Sequence, residues 1–230
     1  NKKKFWKYIM KNEILKRILS SLILIPIALF FIIKGSYFFN FLILICFLIS
    51  SYEWHIMSKN KKYNLPGFIL IIFSFYTVYY LRNEMYGDYI YFVMVIMICV
   101  FTDIGGYVFG KIFKGPKLTK ISPNKTYSGT IGGYLCSIIF MSVFFNNLDF
   151  VSQFTNVNVT EKELSLNNFV LVIVISTVSQ LGDITISYFK RLSKIKNTGK
   201  IIPGHGGLLD RIDGMIFAFP TTYLIFKIFY

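Results

Sequence analysis

Residues 88–109 read DYIYFVMVIMICVFTDIGGYVF. From Ile90 to Phe101 every side chain is aliphatic, aromatic or sulfur-containing, and polarity returns only with Thr102 and Asp103. A helix needs about 20 mostly apolar residues to cross a bilayer, and this stretch supplies them. Working outward, six further segments have the same character, at 18–33, 38–54, 67–81, 131–147, 167–188 and 212–230. The shortest, GFILIIFSFYTVYYL at 67–81, is marginal and leaves six spans open as an alternative. The pattern predicts an all-α, polytopic membrane protein of about seven spans. No repeat, low-complexity tract or Pro/Ser-rich linker marks off a soluble appendage.

Composition excludes the other classes. Across 230 residues, 54% are hydrophobic and 16% charged, and the mean hydropathy is +0.56. One soluble core of this size cannot hide that much apolar surface. The chain is too apolar for intrinsic disorder. Its formal charge of +14 would suit nucleic acid, but the apolar bulk would not, so no nucleic-acid partner is expected. Cys46, Cys99 and Cys136 fall inside apolar runs without Cys-x-x-Cys spacing and read as buried small hydrophobes. The basic opening and the apolar run behind it resemble a signal peptide. No small-residue cleavage site follows Ile33, so the first segment is expected to stay.

Loop charge sets the orientation, because Lys and Arg accumulate on the cytoplasmic side. Twenty-one of the 25 lie in the N-terminal arm and in the loops after the second, fourth and sixth segments. The remaining four are Lys34, Arg82, Lys162 and Lys227. The alternation predicts a cytoplasmic N-terminus and seven spans. The expected organisation is a basic cytoplasmic arm at 1–17, N-terminal membrane helices at 18–102, and a catalytic membrane region at 103–230.

Two segments on the basic side do not read as inert loops. They are FTDIGGYVFGKIFKGPKLTKISPNKTYSGTIGG (101–133) and SQLGDITISYFKRLSKIKNTGKIIPGHGGLLDRIDG (179–214), which hold 13 of the 16 glycines. Acidic residues at membrane depth are costly and need a partner or a task. Asp103, Asp183, Asp210 and Asp213 all fall at span ends. Asp183, Ser187 and Lys190 are spaced i, i+4, i+7 and share one helical stripe. Asp210 and Asp213, flanking Arg211, are expected on one face of a helix start. Carboxylates on separate helices suit Mg²⁺, which takes a few carboxylates plus water and substrate phosphates. The turn Pro203-Gly204-His205-Gly206-Gly207 offers backbone N–H groups as an anion nest. No nucleophile–base pair with an orienting third residue is evident. Metal, cations and nest together point to phosphoryl or nucleotidyl transfer.

Plainer readings compete. Asp183 could pair with Lys190 or Arg191 in a structural ion pair. Asp210 and Asp213 could be helix-start acids favoured by the dipole. Gly132 and Gly133 read as helix-packing positions, and His205 as an ordinary loop residue. Lys111 to Lys120 could serve topology and anionic lipid alone, and Glu53-Trp54 reads most simply as an interface anchor.

The stretch from Ser187-Tyr188-Phe189-Lys190-Arg191 through Ile195-Lys196 to Pro203-Gly204-His205-Gly206-Gly207-Leu208-Leu209-Asp210-Arg211-Ile212-Asp213 resembles the signature of phosphatidate cytidylyltransferases. Ser122-Pro123-Asn124-Lys125-Thr126 with Gly129 and Gly132-Gly133 is similar to that family's second motif. Asp103 with Tyr107, and Glu53-Trp54, fit two further elements. The resemblance implies transfer of the cytidylyl group of CTP to phosphatidic acid, giving CDP-diacylglycerol and pyrophosphate in phospholipid biosynthesis. It implies a multi-pass protein of the cytoplasmic (inner) membrane with its active site at the cytoplasmic face. By position, Asp183 and Asp210 would hold the metal, Mg²⁺ or Mn²⁺, with Ser187, Lys190 and Asp213 completing the catalytic set. Lys125, Thr126, Arg191, Lys196, His205, Gly206, Gly207 and Arg211 would bind the two substrates. A monovalent cation and a homodimer are left open, as is acyl-chain preference.

Two departures stand out. Asn197 occupies a position where the family usually has Asp, and Ser128 one where Glu is common. Three alternatives follow: a CTP-dependent kinase of a lipid alcohol, an inactive paralogue, or a transporter using the span-end acids. The last is disfavoured because the acids of the other side lie in loops and no broken midplane helix pair is evident.

Overall fold

The computed structural model describes residues 13–84, 89–147, 166–202, 204 and 206–229. Eight helices run through them: α1 (Glu13–Lys34), α2 (Ser36–Ser58), α3 (Asn64–Asn83), α4 (Ile90–Phe113), α5 (Tyr127–Asn146), α6 (Leu166–Leu192), α7 (Leu209–Ile212) and α8 (Met215–Phe229). Among the described residues there is no strand, only two isolated bridges, Lys117 with Thr126 and Ile202 with Gly206. The lysines of 1–12, Asp88, Lys162, the acids of 148–165, Pro203 and His205 lie outside the described residues.

The apolar core of every expected segment is helical. Six helices are long and apolar enough to cross a membrane. The marginal segment 67–81 is among them, because its helix extends from Asn64 to Asn83. The seventh differs from expectation. The run 212–230 is broken at Asp213-Gly214, and α8 has 15 residues, about 22 Å of helix. At the break Gly214 lies against Ser179 of α6, so closely that an added Cβ would overlap it. Asp210 therefore sits on α7 and Asp213 in the following turn, and the expected shared helix face does not form. Gly35, at φ +64, separates α1 from α2 in one residue, a conformation that costs a glycine nothing.

The described residues divide into two compact units. One comprises residues up to Phe75 and Phe189–Ile212; the other comprises Tyr76–Tyr188 and Asp213–Tyr230. In the first, Trp54 is 2% exposed and its Nε1 donates to the Asn64 carbonyl at 3.0 Å. Its ring meets Phe189 edge-on at 5.4 Å, with Gly67 directly against the indole. Ser193 Oγ donates to the Met57 carbonyl at 2.7 Å and so accepts from Tyr63, also at 2.7 Å. These contacts pin the end of α6 to the end of α2. The Arg17 Nε donates to the Gly204 carbonyl at 2.8 Å.

In the second unit, glycine governs the packing of α4 on α5. A Cβ on Gly105 would strike the Gly132 carbonyl, and one on Gly132 would strike Phe109. Gly132 and Gly133 are thus packing residues, as small residues between membrane helices generally are. Phe101 stacks on Phe140 at 3.7 Å. Buried hydroxyls link α6 to both neighbours: Thr102 donates to Ser176 at 2.9 Å, and Tyr134 and Thr177 pair at 2.9 Å. The three cysteines are free thiols.

Candidate active site

Each unit carries a carboxylate–lysine pair among its described residues. In the first, Lys190 near the end of α6 donates to Asp210 Oδ1 at 2.8 Å, and both side chains are nearly buried, at 11% and 8% exposed. Asp210 Oδ2 accepts from the backbone N–H groups of Thr198, at 2.8 Å, and Gly207, at 3.2 Å. Ile202 and Gly206 exchange two backbone hydrogen bonds, with Gly204 and Gly206 at φ +77 and +92. Two of the N–H groups expected in the nest are already engaged. The Gly206 N–H is spent on Ile202, and the Gly207 N–H holds an anion that belongs to the chain itself.

Around this pair lies a second carboxylate. Glu53, 1% exposed, accepts from the Thr198 hydroxyl and from the N–H groups of Leu208 and Leu209. Neither side chain of Glu53-Trp54 stands at a free surface: Trp54 is packed inside this unit, and Glu53 is hydrogen-bonded there. An acid with no cation three or four residues away on its helix was the available signal.

In the second unit, Asp183 pairs with Lys125 at 2.5 Å, and their side chains are 29% and 23% exposed. Lys125 also donates to the Gln180 carbonyl at 3.2 Å. Ser187 donates to Asp183 Oδ1 at 3.3 Å, so the expected acid–hydroxyl stripe forms. The expected structural partners of Asp183, Lys190 and Arg191, are engaged elsewhere: Lys190 with Asp210, Arg191 with the Ile195 carbonyl that follows its helix end. Thr126 caps α5, its Oγ1 accepting from Gly129 N at 3.1 Å. Ser128 donates to the Lys114 carbonyl at 2.9 Å and leaves no carboxylate there.

Lys125, Thr126 and Asp183 line a cavity of about 290 Å³ in this unit, together with Asp103, Ser122, Asn124, Thr130 and Gln180. The Gln180 Nε2 is buried and has no hydrogen-bond partner among the described residues. The cavity therefore offers an ammonium and an unspent amide donor beside two carboxylates, a setting for a phosphate-bearing ligand. Asp213 Oδ1 accepts from Gly214 N at 2.9 Å. Lys196, Asn197 and Arg211 are exposed.

Hard carboxylate oxygens are the donor type Mg²⁺ takes, typically one or two of them with water and phosphate oxygens. Asp183 and Asp210 fit that chemistry. Asp210 Oδ1 retains a lone pair, and Asp183 is held by side chains alone.

Membrane-length helices that carry carboxylate–lysine pairs and glycine turns are what an integral membrane enzyme of the group-transfer type would have. The full chain specifies which. The cytidylyltransferase family model matches residues 15–90 and 68–229. A phosphatidate cytidylyltransferase of Rickettsia felis is 32% identical over 223 residues, covering 94% of this chain and 93% of the relative. One from Staphylococcus saprophyticus is 34% identical over 191 residues, covering 80% and 67%. The chain belongs to the cytidylyltransferase family and is a nucleotidyltransferase.

Proposed function

We propose that this chain transfers the cytidylyl group of CTP to phosphatidic acid, forming CDP-diacylglycerol and pyrophosphate. The observation that carries this is end-to-end similarity to phosphatidate cytidylyltransferases, at 94% of this chain, spanning both carboxylate–lysine pairs. A phosphate oxygen of phosphatidate attacks the α-phosphorus of CTP in line. The bond to the bridging oxygen breaks, and pyrophosphate leaves with that electron pair. No nucleophile on the protein is needed; positioning and charge neutralisation supply the catalysis.

The roles follow from the residues. Lys125 and Gln180 offer donors to a phosphate in the 290 Å³ cavity. Lys190, beside Asp210, supplies a second cation, this one nearly buried. The exposed Arg191, Lys196 and Arg211 draw two anionic substrates to the membrane surface. Asp183 and Asp210, each within its own unit, have the carboxylate oxygens that would hold Mg²⁺, which neutralises charge on the triphosphate when bound. The side on which most Lys and Arg fall is taken as cytoplasmic, with the six membrane-length helices crossing an inner membrane.

The test is a labelling assay in detergent–lipid micelles with CTP labelled at the α-phosphorus, phosphatidic acid and Mg²⁺. Label in a chloroform-soluble liponucleotide with pyrophosphate released is the expected result. Release of CDP instead, or no labelled lipid from folded protein that binds CTP, overturns the proposal.

A further inference from the structure

Glu53 is a buried carboxylate that the proposed reaction leaves unused. Its Oε1 accepts from Leu208 N at 3.0 Å, and its Oε2 accepts from Leu209 N at 2.9 Å and Thr198 Oγ1 at 2.8 Å. Three donors converge on two oxygens. Only an acceptor-only group satisfies them all, because an amide would turn an NH₂ toward at least one donor. The fit is close: a Cβ on Gly199 or Gly207 would run into this carboxylate. Burying a carboxylate costs several kcal/mol before compensation, so a clamp built this way is retained at a cost.

Thr198 is the joint. Its hydroxyl donates to Glu53 Oε2, and its own backbone N–H donates to Asp210 Oδ2. With the Gly207 N–H also on Oδ2, both lone pairs of that oxygen are taken. The oxygen with a lone pair to spare is Oδ1, shared with Lys190.

We propose that Glu53 is a positioning residue for Asp210. It acts through Thr198 and the Leu208–Leu209 backbone, not on substrate. By fixing the two N–H groups on Oδ2 it reserves Oδ1 for a divalent cation. The inference rests on the cation assignment made for Asp210 above. Hydrogen-bond partners one step removed from a metal ligand commonly tune affinity by about 10–100-fold.

The test uses the full chain in micelles, titrated with Mn²⁺ alone and followed by the free-ion electron paramagnetic resonance signal. Thermal midpoints in EDTA are measured in parallel. Thr198→Val removes the hydroxyl while keeping shape and backbone N–H; Thr198→Ser restores the hydroxyl. The expected result is Mn²⁺ affinity weakened about tenfold or more in Thr198→Val and recovered in Thr198→Ser, with Glu53→Gln at least as weak as the valine variant. A merely structural role would lower the thermal midpoint and leave the affinity of the folded protein unchanged. Wild-type affinity in Thr198→Val, or equal weakening in the serine variant, overturns the proposal. If Glu53→Gln does not fold, the valine–serine pair decides. Wild-type protein that binds no Mn²⁺ defeats both this inference and the cation assignment. Wild-type protein that binds Mn²⁺ without forming liponucleotide defeats the proposed reaction and leaves this inference standing.

Discussion

The two carboxylate–lysine pairs look alike in sequence and differ in how they are held. Asp210 is gripped by two backbone N–H groups and a nearly buried lysine, and its loop is locked in turn by Glu53. Asp183 is held by the side chains of Lys125 and Ser187, and about a quarter of the ion pair remains exposed. Backbone donors belong to the fold and cannot be withdrawn without unfolding the loop. Side-chain donors rotate away at little cost. The first pair is therefore the rigid one, and the second is held by side chains that can rotate.

Alanine at each acid gives the largest effects. Asp183→Ala and Asp210→Ala are both expected to reduce liponucleotide formation by about a thousandfold or more, as loss of preorganised charge stabilisation does. Their stabilities should separate. Asp210→Ala leaves Lys190 buried without its partner, a loss of about 3–5 kcal/mol. Asp183→Ala leaves a half-hydrated lysine and costs about 1 kcal/mol. Thermal unfolding of the two variants in the same micelles checks this, and equal midpoints would erase the distinction.

The lysines sharpen the same contrast at the next level. Lys190→Met should destabilise the protein and raise the CTP requirement together, since Asp210 is then left buried and unpaired. Lys125→Met should leave the thermal midpoint within a degree or two of wild type while turnover falls about 10²-fold, by loss of one positioned charge. A Lys125→Met protein that unfolds early would mean that the second pair is as structural as the first.

Much of this was legible in the sequence, and the rest was hidden for definable reasons. Apolar runs long enough for a bilayer fixed the helices, because length and hydropathy are local properties. The Asp183–Ser187 contact is one helical turn and was equally local. The Lys125–Asp183 pair joins the loop before α5 to α6, a long-range approach that no periodicity reveals. Glu53 reaches Thr198 across 145 positions, and its role depends on a close approach that Gly199 and Gly207 permit. The break between Asp210 and Asp213 lies where the Gly214 backbone meets Ser179, a tertiary contact that a continuous apolar pattern does not reveal.

Asn197 is the site where the smallest change tests the comparison most finely. Its side chain and the Asp210 carboxylate both lie within 3.6 Å of the point where a Cβ on Gly206 would stand, so amide and acid are neighbours. Asn197 is exposed, and an aspartate there would place a hydrated like charge near Asp210, a repulsion of about 1 kcal/mol or less. A divalent cation removes that repulsion and gains from it. Asn197→Asp is therefore expected to lower the thermal midpoint slightly in EDTA, restore it in Mg²⁺, and reduce the Mg²⁺ needed for half-maximal turnover a few-fold. The backbone grip on Asp210 lets its carboxylate stay in place under the added charge. If Asn197→Asp instead loses activity, Asp210 moves under that repulsion, and the rigid pair is the yielding one.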